Sequence, residues 1–142
     1  MDAKQAFTKV MQESVNMALA TSVEAQPNVR IVTFAYNPGR EGRVVFTTFK
    51  GNRKIWEFEQ NPQVACMPLP QEAEADVQVR IFGHVQKSSV TLAEVVAAIG
   101  EKYPGGAETI QGGGDMMEIY EVCFSKAYVT IGMEEAQEVA FA

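Results

Sequence analysis

The stretch VVFTTFKGNRKIWEFEQNP, residues 44–62, decides how the rest of the chain is read. Its first half is β-branched and aromatic, a composition that suits a pleated, half-buried surface. At Gly51 the pattern breaks, and from there to Asn61-Pro62 the residues read as a helix. Thr47 and Thr48 put two hydroxyls near the end of the strand, and Arg53 and Lys54 fall in the first helical turn. Cations there oppose the helix dipole, whose N-terminal pole favours negative charge. An anion bound at the pole would remove the conflict, because unpaired backbone N–H groups, an Arg fork and a Lys charge all suit a phosphate. Alternatively the cations pair with nearby carboxylates such as Glu57, one turn on from Arg53, at a solvated helix start.

Working outward, residues 2–12 place Ala6, Phe7, Val10 and Met11 at helical spacing. NMALATSV is a buried strand, EAQPN a turn, and VRIVTFAY (residues 29–36) a strong strand joined through NPGREG to RVVFTTF as a hairpin. QVACMPL is a strand, PQEAEAD an acidic exposed connection, and VQVRIFGHVQ a strand with a bulge or bend at Gly83. Thr91 and Glu94 form a capping box ahead of a helix over residues 92 to about 102. GGAETIQGGGD reads as a flexible loop. EIYEVCFSKAYVTIG is one long strand or two joined at Ser125-Lys126. About six strands and three helices in one domain, residues 1–142, predict an antiparallel barrel or sandwich rather than a parallel doubly wound sheet.

The chain has 142 residues, a formal charge of −6 and a sequence pI of about 4.8, so it lacks the broad basic face that duplex nucleic acid requires. Cys66 and Cys123 stand alone in apolar runs, without the spacing of a zinc site, and read as buried free thiols in a reducing compartment. The N-terminus has no apolar signal core and no run is long enough to span a bilayer. A cytoplasmic protein without a membrane or nucleic-acid partner is expected.

Arg30 interrupts the otherwise apolar and small NVRIVTF, and Gln78 and Arg80 stand in VQVRIFG. The order is a strand with Arg, a strand ending in hydroxyls, an Arg-Lys helix start, an Asn-Pro stop, then a strand with Gln-Val-Arg. Over about half of the chain, this order resembles the pyridoxamine 5′-phosphate oxidase-like family of FMN-binding split barrels. The resemblance implies a mainly β fold, a six-stranded antiparallel split β-barrel with about three peripheral helices. It also implies FMN as cofactor, with Arg30, Ile31, Val32 and Thr33 running along the flavin ring. Thr47 and Thr48 correspond to the pair at the end of the next strand, Arg53 and Lys54 to the phosphate-binding cations, and Gln78 to the glutamine facing the ring. A homodimer with FMN at its interface is expected, and no metal.

Two departures bear on function. The substrate-binding lysine of true pyridoxamine phosphate oxidases falls at Ala35, and their C-terminal Arg and His residues have no counterpart in GMEEAQEVAFA. Without those cations a second phosphate has no grip, so that oxidase activity is not expected. The likeness is closer to the short general-stress and nitroimidazole-resistance branch. The leading expectation is an FMN-dependent oxidoreductase acting on an unidentified small molecule. The alternatives are a non-catalytic flavin-binding or redox-buffering protein, or another cofactor, deazaflavin or haem, in the same fold. His84 is the sole histidine and hence the sole conventional nitrogen ligand for haem. Trp56 is expected in the core, while Tyr36, Tyr103 and Tyr120 stand open between packing and a ring contact.

Overall fold

The computed structural model describes residues 1–37, 39–72 and 76–141. Pro38 of the NPGREG loop and residues 73–75 of the acidic connection lie outside the described residues, as does Ala142. The elements are α1 (Ala3–Glu13), β1 (Asn16–Val23), β2 (Gln26–Ala35), β3 (Arg43–Phe49), α2 (Arg53–Gln60), β4 (Gln63–Pro68), β5 (Val77–Lys87), α3 (Leu92–Gly100), α4 (Pro104–Gly113), β6 (Met117–Cys123), β7 (Lys126–Ile131) and β8 (Gln137–Ala140).

Every strand pairing is antiparallel, and the order β4-β1-β2-β3-β6-β5 closes on itself through β4–β5. The result is a six-stranded closed barrel, with β7 and β8 continuing off β5 as two extra strands. β5 manages three partners because β6 hands over to β7 along one of its edges. EIYEVCFSKAYVTIG is therefore two strands, separated at Phe124-Ser125. At the handover the backbones nearly touch: a Cβ on Gly83 would overlap the Cys123 carbonyl oxygen. Gly83 thus marks a close approach of backbones, one of the uses of glycine in a strand.

Alternate side chains of the six strands fill the barrel, led by the fully buried Met17, Leu19, Phe34, Phe46, Ile81 and Val122. Phe7 of α1 and Phe58 of α2 enter the same core, Phe7 against Phe141 at 4.8 Å and Phe58 against Phe46 at 5.9 Å between ring centroids. A second, smaller core forms where Val95, Ile99, Ala107 and Ile110 of the α3–α4 pair pack on Ala35 and its neighbours on the outward barrel face.

Two expectations are corrected and one element is added. The tract expected as a flexible loop, GGAETIQGGGD, is largely α4, which makes four helices among the described residues, with a 3₁₀ turn at Gly114–Met116 after it. The tail GMEEAQEVAFA supplies β8 and buries Val139 and Phe141. The turn in EAQPN is only Glu24-Ala25, both at positive φ; Gln26 to Asn28 already belong to β2. Pro27 is tolerated there because the edge of β2 away from β1 is unpaired at that point.

Candidate functional site

That unpaired edge is the origin of the site. β2 and β3 share only two residue pairs, Phe34↔Phe46 and Ala35↔Val45. Beyond them the strands part, while β1 holds the far edge of β2 and β6 the far edge of β3. The barrel is split at this seam. Antiparallel strands point their backbone groups to alternate sides. Phe34 donates its N–H to Val15 on the β1 side, and Lys50 donates to Met116 on the β6 side. By alternation, the backbone N–H and C=O groups of Ile31 and Thr33, and of Thr47 and Phe49, point into the opening. It is a wedge lined with main-chain donors and acceptors that no neighbouring strand satisfies.

The wedge forms a groove of about 300 Å³ walled by Ile31, Val32 and Thr33, by Thr47, Thr48 and Phe49, and by Asn52 and Lys54 at the mouth of α2. Its remaining wall, Tyr103, Gly106, Thr109, Ile110 and Met117, comes mostly from α4. A loop over residues 105–115, as the glycines suggest, would not supply this wall. Pro104 at the first helical position, with Ala107 and Ile110 a turn apart, is the signal that would have found it.

The cations of the opening stretch take different roles. Lys54 reaches into the groove, where Nζ donates to Thr48 Oγ1 and Asn52 Oδ1, each at 3.0 Å. Among the described residues it makes no ion pair. Burial, followed by the nearby Arg30 charge, pulls its pKa below the ordinary lysine value, and Glu57 counters only in part. An anion beside this ammonium would relieve both effects. Arg53 lies outside the groove lining: its Nε is 3.4 Å from Glu57 Oε2 and its guanidinium lies 4.9 Å over the Trp56 ring. For Arg53 the carboxylate pairing weighed from sequence is present, although its terminal nitrogens make no hydrogen bond among the described residues. Trp56, expected in the core, is 44% exposed and carries this cation instead.

Arg30 also turns away from the groove. It donates to the Leu19 carbonyl at 3.2 Å, to Thr21 Oγ1 at 2.9 Å, and to the carboxylate of Glu57. Glu57 is buried and further accepts from Thr21 and Asn28, each at 3.0 Å. Burial alone would raise its pKa; the hydrogen bonds from Asn28 and Thr21 and the Arg30 charge outweigh it and hold the carboxyl below its ordinary value. Arg30 and Arg53 therefore share the one buried carboxylate of α2, and Lys54 is left as the cation at the groove.

Gln78 stands apart, exposed on β5 opposite Thr130 and away from the groove. His84 is exposed further along β5 and lines a different hollow of about 400 Å³, with Arg43, Phe82 and Cys123 among its walls. Of the three open tyrosines, Tyr36 packs edge-on against Phe7 and Tyr120 sits in the core against Phe46. Only Tyr103 reaches the groove. Both cysteines are free and buried, and burial pushes the Cys66 thiol up to about 12. Among the described residues no cluster could hold a metal ion. No described helix is long and apolar enough to cross a membrane.

A family profile described as pyridoxamine 5′-phosphate oxidase-like matches residues 10–136, nearly the whole chain and well beyond the motifs read from sequence. The chain belongs to this family. No curated protein sequence matches it. Solved structures with the same fold include a haem binding protein from Mycobacterium smegmatis, with a TM-score of 0.78 at 15% identity, covering 99% of this chain. This chain spans only 58% of the length of that protein. HutZ, the haem storage protein from Vibrio cholerae, has a TM-score of 0.72 at 20% identity, covering 95% of this chain and 100% of its own. General Stress Protein 26 from Bacillus anthracis str. Sterne has a TM-score of 0.71 at 13% identity, covering 99% of this chain and 100% of its own. At such identities the likeness is one of fold, and the relatives' ligands remain their own. This chain's groove is built from neutral and hydroxyl side chains with a single ammonium at one end.

Proposed function

We propose that this protein binds FMN in the wedge between β2 and β3 and acts as an oxidoreductase on an unidentified small molecule. The observation that carries the reading is the pairing of two unpaired strand edges with an ammonium that makes no ion pair among the described residues, at the neighbouring helix start. The pyrimidine edge of a flavin alternates donors and acceptors, and so suits the main-chain groups of Ile31 and Thr33. A phosphate monoester suits Lys54, the Thr48 hydroxyl and the free terminal nitrogens of Arg53. When bound, the flavin supplies hydride or single-electron chemistry, while the protein holds and tunes it. Gln78 cannot serve the groove of its own chain, so in this reading it acts from a second copy, in a homodimer that closes the open side.

The test is the visible spectrum of the purified protein, with mass spectrometry of any released chromophore and titration of the apoprotein with FMN. Lys54→Ala removes one charge-assisted hydrogen bond, about 2 kcal/mol, and so weakens FMN roughly thirty-fold. A wild type that is colourless and takes up no added FMN defeats the reading. Haem is the second reading, favoured by two structural neighbours whose names carry it and by the hollow at His84. Haemin titration of wild type and His84→Ala separates it: a Soret band that shifts with the substitution supports haem, and no band removes it.

A further inference from the structure

The wall of the groove that sequence did not disclose carries a specific ring contact. Ile31, Thr33, Thr47 and Phe49 share their strand parity with Ala35 and Val45, the outward-facing residues covered by the α3–α4 layer. α4 therefore overhangs the outward side of the wedge. Tyr103, immediately before α4, folds its ring back over the first helical turn: a Cβ on Gly106 would overlap the ring, and one on Gly105 would touch it at 3.6 Å. One side of the ring thus rests on two glycines. Yet Tyr103 remains 43% exposed and lines the groove together with Gly106 and Thr109. A large aromatic ring held on a bare helical turn, half open to a groove, is a ready surface for a flat ligand.

We propose that Tyr103, seated on Gly106, is the residue that packs on the outward face of the planar ring bound in the wedge. The proposal rests on the flavin reading above and sharpens it. The strand edges bind the rim of the isoalloxazine, Lys54 its phosphate, and Tyr103 covers part of the face that α4 overhangs. Gly106 serves as the positioning residue, since any side chain there displaces the phenol ring. The other wall residues offer no charge, so the uncovered part of that face is left to a neutral or hydroxylated substrate.

The test uses the full chain, with FMN and riboflavin as probes and two readouts, dissociation constant and the fluorescence yield of the bound flavin. An electron-rich phenol in contact with an excited flavin quenches its emission, which packing within the protein alone would not do. Wild type should quench both probes. Tyr103→Leu should restore emission and weaken both probes by about tenfold, the scale of an aromatic pair. Tyr103→Phe should keep the affinity. Gly106→Ala, which favours the helix and moves only a side-chain ring, should behave as Tyr103→Leu while remaining folded. If Tyr103→Leu and Gly106→Ala retain wild-type affinity and quenching, the inference is overturned while the flavin reading stands. If Lys54→Ala leaves FMN bound but Tyr103→Leu releases it, the phosphate assignment fails and the inference stands. A wild type that binds neither probe overturns both.

Discussion

Glu57→Gln is the substitution that most directly tests how the fold builds its cationic corner. The carboxylate is 3% exposed, and its two oxygens divide their partners: Oε1 accepts from Thr21 and Arg30, Oε2 from Asn28. A glutamine can keep one set, but its amide nitrogen then faces the Asn28 amide, donor against donor. It also leaves the Arg30 guanidinium, whose side chain is 19% exposed, without its counter-charge. Breaking a buried pair on one side costs about 3–5 kcal/mol, and the partial exposure of Arg30 points to the lower end, about 3 kcal/mol. The pairing with Arg53 adds little, because that side chain is 71% exposed.

For a domain of this size about 3 kcal/mol corresponds to a fall of roughly 10 °C in Tm. Urea denaturation should give the same loss with an unchanged m value. Acid adds a second signature. Glu57 is held below its ordinary pKa of 4.5 in the folded chain, so its contribution is complete above that value and is lost as pH falls through the folded pKa. The variant should lose stability less steeply below pH 4.5, with a residual slope from Glu121, which hydrogen bonds and Arg43 hold down in the same direction. Restoring apolar balance by adding Arg30→Met should recover much of the loss. A Glu57→Gln variant within about 1 kcal/mol of wild type would refute this account of the corner.

Two further outcomes follow from close contacts elsewhere. Gly83→Ala should destabilise the barrel by about 1–3 kcal/mol in urea, because the new methyl meets the Cys123 carbonyl, a backbone atom that cannot swing aside. Lys102 donates to the Ser14 carbonyl at 2.6 Å and lies 4.0 Å from the Phe34 ring centroid, and burial pulls its pKa down to about 8. The unfolded chain therefore carries an extra proton on this group between about pH 8 and 10.5, so wild-type stability should rise with pH relative to Lys102→Met through that window, while the raised Cys66 thiol lowers both curves above pH 9. A Lys102→Met curve parallel to wild type would show that Lys102 makes no such contribution.

The parts legible in the sequence are those where local chemistry and tertiary packing agree. The strands around residues 44–62 alternate as they pack, and Asn52 caps α2 where the pattern breaks. α4 was not legible because its glycines argue against a helix: each costs about 1 kcal/mol relative to alanine in a helix interior. Contacts made only in the folded chain outweigh that cost, with Ala107 and Ile110 packed under α3 and Gly106 needed bare beneath Tyr103. β8 was missed for a different reason. Among the described residues of that acidic tail, Val139 and Phe141 alone are buried, too few to mark a period. At the site, sequence order could bring Arg30, Arg53 and Lys54 into one motif but could not divide their roles. That division depends on Glu57, which is four residues from Arg53 yet meets Arg30 only through the β1–β2 hairpin.

The cations and the split belong to one arrangement. An open strand edge is a hazard that proteins usually blunt with charge, bulges or cover. Here the edge of β2 carries Val29 and Ile31, 63% and 64% exposed, while the one cation that could guard it, Arg30, is drawn inward by Glu57. Only Pro27, near the hairpin end, interrupts it. Glu57 thus does two things at once: it removes the guard from the strand edge and seats α2 so that Lys54 faces the opening. An edge left bare beside a cation left unpaired is coherent if a flat, anionic ligand completes both, its rim in place of a strand and its phosphate in place of a carboxylate. That coherence is why the proposed cofactor and the proposed second copy are coupled. Once the ligand fills the wedge and covers Ile31, Val29 stays exposed beside it, and a second copy bringing Gln78 would supply cover and contact together.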